Sequence, residues 1–274
     1  MDENTQHDLA RRFRALHEGG TFVIPNCFDG GSARVLGSLG FQALATSSAA
    51  AAASYGRQDG RITRDEALAH ARIICDATSL PVSGDLENGF GPTPRDAART
   101  IELAASVGLV GGSIEDTTGS DDQPIFDFAL AVDRVASAVE AARALNFPFT
   151  LTARTENFLH GRPDLDDTIR RLQAFEKAGA DVLFAPGLPS LDAVRTVCAS
   201  VTRPVNFMVA IPGKSFSVAE LAAAGVRRIS LATTMYRAAM TGLADAAREV
   251  ATAGTFNYLG HIMPGGDLNR ILGK

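Results

Sequence analysis

Short apolar runs alternate with amphipathic segments along most of the chain. The apolar runs predict eight strands, at 22–25, 43–47, 82–87, 110–115, 149–154, 182–185, 205–209 and 228–232. The segments between them predict helices at 32–39, 64–77, 94–107, 128–145, 165–178, 191–200, 218–223 and 236–253. Because alternating strands and helices require parallel strands covered by helices, the pattern predicts an α/β fold of the (β/α)8 TIM-barrel type.

Glycine follows several predicted helices where the chain turns into the next strand, at Gly40, Gly108, Gly179 and Gly225. This repetition favours one barrel domain over residues 1–274, with an N-terminal helix within 1–20 and a C-terminal helical extension over 255–274. A doubly wound open sheet is the alternative. The chain lacks the glycine-rich phosphate fingerprint and the P-loop that would favour such a sheet.

Composition and charge limit the kinds of molecule that we expect this protein to bind. The 274 residues carry a net charge of −5 and no basic run with interleaved aromatic residues, so we expect neither nucleic acid nor a membrane as partner. Three scattered cysteines fit neither a disulfide framework nor a zinc cluster. We therefore expect a cytoplasmic protein that acts on a small molecule.

Asp85 and Glu87 follow the third predicted strand. On an extended backbone, residues two apart point to the same face. Two neighbouring carboxylates repel each other unless a cation lies between them, which predicts a site for Mg²⁺, with Mn²⁺ as an alternative. A polar strand end leading into a solvated turn is the other interpretation of this pair.

Other predicted strand ends also carry polar residues. They are Ser47 and Ser48 with Asp59 further along, Glu115, Arg154 with Glu156, and Asn206. Because the C-terminal ends of barrel strands meet at one rim, these side chains predict a hard-cation site beside an anion-binding arginine. Two alternatives stay open: Arg154 could form a structural ion pair with Glu156, and Asn206 could make an ordinary hydrogen bond at the rim.

Four segments, in chain order, resemble the isocitrate lyase and phosphoenolpyruvate mutase superfamily. They are SS at 47–48 followed by GRQD at 56–59, DLENGFG at 85–91, SIED at 113–116, and TARTE at 152–156. The resemblance implies a barrel enzyme that uses Mg²⁺ to bind a 2-oxo acid and to stabilise an enolate. It also implies that a late helix is exchanged between subunits, so we expect a homodimer or homotetramer.

The resemblance implies roles by motif position. Asp85 would ligate the metal directly, while Asp59, Glu87 and Glu115 would hold metal-bound waters; Asp59 and Glu115 thereby join Arg154 as catalytic candidates.

The predicted substrate-binding residues surround that metal. Arg154 would bind the substrate carboxylate, and Glu156 would orient Arg154 or bind substrate. Asn206 could donate to a distal carboxylate of the substrate. The oxo-acid head would lie against Ser47 and the backbone around Ser48 and Ala49.

The loop after strand four departs from the superfamily. Isocitrate and methylisocitrate lyases carry a catalytic cysteine there, but residues 115–124 contain neither cysteine nor histidine. The loop also lacks the asparagine of the phosphonate-forming mutases, and residues 185–187 after strand six lack a histidine. Both usual reactions are therefore disfavoured.

With both of these reactions disfavoured, we predict a Mg²⁺-dependent lyase or decarboxylase. It would act on oxaloacetate or a related 2-oxo dicarboxylate through a metal-stabilised enolate. The alternatives are a phosphoenolpyruvate mutase or phosphonopyruvate hydrolase type of C–P bond enzyme, and a protein that binds 2-oxo acids without turnover. The five histidines, His7, His17, His70, His160 and His261, lack ligand spacing and are expected at the surface or at helix ends.

Overall fold

The computed structural model describes residues 3–273, in which eight parallel strands form one sheet. The strands are β1 (Phe22–Ile24), β2 (Leu44–Ala45), β3 (Val82–Asp85), β4 (Gly111–Glu115), β5 (Thr150–Arg154), β6 (Val182–Phe184), β7 (Val205–Met208) and β8 (Arg228–Ser230). Strand β8 pairs with β1, and a parallel bridge from Asn26 to Ala45 joins β1 to β2. The predicted (β/α)8 barrel is confirmed.

Helices cover the outside of the barrel and continue beyond it. They are α1 (Glu3–Leu16), α2 (Gly30–Ser38), α3 (Ser48–Ser54), α4 (Arg64–Ala77), α5 (Pro94–Ser106), α6 (Phe128–Ala144), α7 (Leu165–Lys177), α8 (Leu191–Ala199), α9 (Val218–Ala223), α10 (Thr234–Ala253) and α11 (Gly265–Leu272). Every predicted barrel element is present, with ends that differ by at most two residues. Helix α3 was not predicted, because its alanine run has no polar–apolar period.

Helix α1 packs across the N-terminal end of the barrel. Its Phe13 is fully buried and lies against Gly111 at the start of β4, and the His17 ring meets the Phe13 and Phe22 rings edge-on. Gln6 donates to the carbonyl oxygens of residues 105 and 109, at 2.7 and 3.1 Å. The helix therefore closes this end and leaves the opposite end open. Residues 1, 2 and 274 of the predicted terminal segments lie outside the described residues.

The C-terminal elements expose apolar side chains. Helix α10 has no buried residue, and Leu243, Phe256 and Leu259 are each more than half exposed. Helix α11 contacts α2, where Arg34 donates to the carbonyl oxygen of Leu272 at 3.1 Å. The homodimer or homotetramer stays a prediction. No helix within residues 3–273 is long and apolar enough to cross a membrane.

We predict that Gly111→Ala destabilises the barrel. A Cβ at this position would lie 2.7 Å from Phe13 Cε1 and 2.8 Å from the backbone oxygen of Thr150, and the backbone cannot move aside cheaply. Overpacking of this kind costs about 1–3 kcal/mol of the free energy of unfolding. Urea denaturation measures the loss. Gly20→Ala is the control, since nothing lies within 4 Å of its added Cβ; equal stabilities of the two variants would contradict the prediction.

Candidate active site

One row across the barrel wall carries three charged side chains, those of Glu115, Arg154 and Arg228. Backbone register pairs Glu115 with Arg154, Arg154 with Phe184, Phe184 with Asn206, and Asn206 with Arg228. Because barrel strands are tilted, such a row descends from the C-terminal rim towards the floor. Arg154 is accordingly the last residue of β5, while Arg228 is the first of β8. Asn206 is the second residue of β7, so its prediction as a strand-end residue is wrong.

Arg154 lies among three carboxylates. Its Nε contacts Glu156 Oε1 and lies 3.4 Å from Glu115 Oε2, while Nη1 lies 3.9 Å from Asp85 Oδ1. Burial alone would lower the pKa of Arg154, but Glu156, Glu115 and Asp85 raise it above its usual value. The arginine therefore stays charged, and its three partners leave the cluster with surplus negative charge.

Asp85 is held by backbone and hydroxyl donors. Its Oδ2 accepts from the Ser48 N–H at 2.9 Å, and its own N–H donates to Thr46 Oγ1 at 2.9 Å. Ser47 caps α3 by accepting from the N–H of Ala50. The predicted binding site for the oxo acid at Ser47, Ser48 and Ala49 therefore borders Asp85. The backbone N–H of Ser48 already donates to the Asp85 carboxylate.

Glu87 does not continue the strand, so the prediction of an extended backbone there is wrong. Strand β3 ends at Asp85, and Glu87 has a φ of +49°. The intervening Leu86 is buried against Gly84 and Gly112, which turns the chain at the strand end. Glu87 nevertheless lines the same opening as Asp59 and Glu115, and Asp85 and Asp59 help to raise its pKa.

Burial is the main cause of raised carboxyl pKa values in this cluster. It raises the pKa of Glu87 to about 8, with further contributions from Asp85 and Asp59. It also raises the pKa of Asp59, where Asp85 adds to the shift and hydrogen bonds oppose it. The pKa of Glu115 is raised by burial, against the opposing charge of Arg154. These acids therefore resist ionising together.

The buried ion pair of Asp116 with Arg171 was not predicted from the sequence. Asp116 accepts from Arg171 Nη1 at 3.1 Å and from the Glu156 N–H at 2.8 Å. Burial raises the pKa of Asp116 to about 6, although the Glu156 amide and Arg171 oppose the shift. Asp116 thereby fixes the backbone that carries Glu156. The Glu-Asp dipeptide at 115–116 was the available signal, but adjacent residues of a strand face opposite ways, so Asp116 points away from Glu115.

The histidines differ from their prediction in two places. His17 and His70 are buried, at 7% and 5% exposure, because each bonds a backbone carbonyl oxygen: that of Phe13 for His17 and that of Phe28 for His70. His160 lies near the site, with Nε2 3.7 Å from Glu156 Oε2 and 3.5 Å from Thr117 Oγ1. It borders the loop that lacks a histidine of its own.

The rim opens into two connected spaces. A cavity of about 240 Å³ extends into the barrel and is lined by Ser48, Asp85, Arg154, Asn206 and Arg228, among others. A wider mouth of about 930 Å³ includes Asp59, Glu87, Glu115, Glu156 and His160. Both spaces share Ser48, Asp59 and Arg154. All the predicted site residues therefore line one connected opening.

Comparison with known proteins identifies the family of this chain. Residues 13–251 match the family model described as phosphoenolpyruvate phosphomutase. The chain belongs to this family. It is an enzyme of the isocitrate lyase and phosphoenolpyruvate mutase superfamily, as the sequence motifs implied.

Individual relatives carry several activities. A crystal structure assigned to a lyase or mutase of Burkholderia cenocepacia J2315 is 51% identical, with a TM-score of 0.96, and the match covers 98% of this chain and 96% of that one. The 2-methylisocitrate lyase of Escherichia coli K12 is 31% identical over 73% of this chain and 69% of its own. The oxaloacetate decarboxylase of Chromohalobacter salexigens is 28% identical over 91% and 88%.

The mutase family implies a metal, and the donor set of the cluster fits one. The described residues 3–273 contain no group of three His, Cys, Asp or Glu side chains that could hold a metal by themselves. Mg²⁺ retains several waters and needs few direct carboxylates. Within the described part of the chain, the buried Oε1 of Glu87 has no hydrogen-bond partner, which suits an acid facing a hydrated cation. Asp85, Asp59, Glu87 and Glu115 are the residues that would surround it.

We predict that Glu87 makes the metal-free enzyme less stable as the pH rises. Between its usual pKa of 4.5 and its folded pKa of about 8, the unfolded chain releases the proton that the folded chain keeps. The melting temperature should therefore fall more steeply over this range in the natural protein than in Glu87→Gln. Melting curves in EDTA from pH 5 to 8.5 measure the difference.

Added Mg²⁺ should reduce this difference, because a cation stabilises the ionised carboxylate. Glu140→Gln, at an exposed position on α6, is the control and should follow the natural protein. Parallel curves for the natural protein and Glu87→Gln would contradict the assignment.

Proposed function

We propose that this enzyme cleaves a carbon–carbon bond of a 2-oxo acid, as a lyase or decarboxylase acting on oxaloacetate or a related dicarboxylate. The observation that carries the proposal is the position of Arg154 among Asp85, Glu115 and Glu156. Glu87 lines the same opening, and its buried Oε1 has no hydrogen-bond partner within residues 3–273. Such a site combines one anion-binding group with an acidic seat for a cation. A 2-oxo acid matches both, since its carboxylate is anionic and its oxo oxygen is a metal ligand.

Arg154 would bind the carboxylate next to the oxo group through two parallel N–H donors. Glu156 would hold the guanidinium in place from its other side, and Asp116 would hold Glu156 through the backbone N–H. Mg²⁺, when bound beside Asp85, supplies a Lewis acid for the negative charge that develops on the substrate oxygen. Asp59, Glu87 and Glu115 would orient its waters.

The loop after β4 favours decarboxylation or a related cleavage over the isocitrate reaction. A bridge from Thr117 to Ile125 closes the loop, and residues 117–125 contain no cysteine or histidine. Loss of CO₂ from a 2-oxo acid with a second carboxylate at C3 leaves the bonding electrons in an enolate, so no base need attack carbon. A proton from solvent or from His160 at the mouth would then complete the product.

A C–P bond enzyme is the second candidate, because the matching family model is described as phosphoenolpyruvate phosphomutase. Mass spectrometry of the products formed from 2-oxo and phosphono acids with Mg²⁺ separates the two. Phosphate from phosphonopyruvate would favour the second candidate, and no product from any of these compounds would contradict both.

We predict that Asp85→Ala abolishes Mg²⁺-dependent turnover and leaves the barrel folded. The change removes the direct ligand, while in the metal-free protein it relieves repulsion from Glu87 and Asp59. Calorimetric Mg²⁺ titration in the presence of oxalate measures the lost affinity. Asp133→Ala, at an exposed position on α6, should bind as the natural protein does. Equal Mg²⁺ affinity in Asp85→Ala would refute its role as ligand.

We predict that Arg154→Lys raises KM more than it lowers kcat. Lysine keeps the charge but loses the paired donors, and one lost charge-assisted hydrogen bond costs about 1–3 kcal/mol of binding free energy. Because the carboxylate is present in substrate and transition state alike, the loss appears as uniform binding. Arg195→Lys, in a surface pair with Asp192, is the control. An unchanged KM with a lower melting temperature would make Arg154 a structural ion-pair partner.

A further inference from the structure

Arg228 is a buried cation whose hydrogen-bond partners are all neutral. Its Nε donates to Asn206 Oδ1 at 2.8 Å and its Nη2 to Thr152 Oγ1 at 2.9 Å, while Nη1 lies 3.5 Å from His17 Nε2. Arg228 is 5% exposed, and no carboxylate within residues 3–273 forms an ion pair with it. Burial lowers the pKa of Arg228 to about 9, so it stays charged at neutral pH.

His17 does not supply the missing negative charge. Its Nδ1 lies 2.9 Å from the carbonyl oxygen of Phe13, which can only accept, so Nδ1 carries the proton. Nε2 is then an acceptor facing Arg228. Burial and the charge of Arg228 lower the pKa of His17 to about 3, which keeps the ring neutral. Each nitrogen of the guanidinium therefore has one hydrogen-bond partner, but two of its five N–H groups and its positive charge are left without one among residues 3–273.

Arg228 also fixes the orientation of Asn206. A guanidinium only donates, so the Asn206 oxygen must face Arg228 and the amide nitrogen must face away. That nitrogen donates to Ser230 Oγ at 3.0 Å, which leaves its second hydrogen for an acceptor in the cavity. Asn206, Arg228 and Ser230 all line the 240 Å³ cavity whose upper end is Arg154. The floor therefore presents donors and a positive charge.

We propose that Arg228 and Asn206 form a second anion subsite, which binds the anionic group of the substrate farthest from Arg154. The subsite makes the enzyme prefer 2-oxo acids with two anionic groups over 2-oxo monocarboxylates. This inference rests on the proposed function, because it assumes that a 2-oxo acid occupies the rim. An unpaired buried cation is costly, and an incoming carboxylate or phosphonate would supply the absent partner.

The test compares 2-oxo acids with and without a distal charge. 2-Oxoglutarate and 2-oxopentanoate have the same carbon chain, and 3-phosphonopyruvate provides a phosphonate instead of a carboxylate. Competition against turnover, or calorimetry with Mg²⁺, gives an affinity for each. The natural protein should bind 2-oxoglutarate at least tenfold more tightly than the matched 2-oxopentanoate, and 3-phosphonopyruvate tests whether the subsite also accepts a phosphonate.

Two variants separate recognition from folding. Arg228→Met removes the charge and should abolish the preference. Asn206→Asp places a carboxylate against Arg228 within the same shape, so it should retain the fold and also abolish the preference. A purely structural role for Arg228 would survive Asn206→Asp, because the new ion pair ties the same strands together. Arg154→Lys should weaken all three ligands equally and keep the preference.

The outcomes distinguish this inference from the proposed function. Two results would overturn the subsite alone, provided that 2-oxo acids still bind. In the first, the natural protein shows no preference for a distal charge; in the second, Asn206→Asp keeps the preference unchanged. Failure of every 2-oxo acid to bind or react would overturn the proposed function, and the subsite with it.

Discussion

Crowding of carboxylates around one largely buried guanidinium is the constraint on which the site depends. Arg154 offers a single positive charge to Asp85, Glu115 and Glu156, and Glu87 and Asp59 lie close enough for Asp85 to raise their pKa values. Desolvation and mutual repulsion both favour protonation of such acids. They ionise together only if more positive charge arrives, which is why the cluster is suited to a divalent cation rather than to a second arginine.

The backbone around this cluster is held in conformations that the barrel must support. Glu87 and Ala232 both have positive φ, at +49° and +46°, at the ends of β3 and β8. Such conformations cost on the order of 1–3 kcal/mol each for residues with a side chain. Leu86 fixes the turn that carries Glu87, because its side chain fills the space that a Cβ on Gly84 or Gly112 would occupy. The tightly packed interior of the barrel therefore stabilises a rim that would not adopt this shape alone.

The sequence predicted the elements and the rim acids, because both follow from local patterns. Strands are apolar runs, and acids that follow them, such as Asp85 and Glu115, must reach the C-terminal rim of a parallel barrel. The sequence did not predict that Arg228 lines the cavity, since an Arg-Arg pair at a strand start is typical of a solvated turn. Only strand tilt, a property of the closed barrel, brings that residue into the row of Arg154. The ion pair of Asp116 with Arg171 was missed for a similar reason, because its partners are far apart in sequence.

The two arginines of this row have opposite charge balances. Arg154 is surrounded by more negative charge than it can neutralise, whereas the hydrogen-bond partners of Arg228 within residues 3–273 are neutral. A small ligand between them therefore meets an electrostatic gradient, which favours a cation at the rim and an anion at the floor. The rim residues belong to the motifs shared with the superfamily, but Asn206 and Arg228 lie outside those motifs. We therefore expect the common metal chemistry to reside at the rim, and the choice of substrate to depend on the floor.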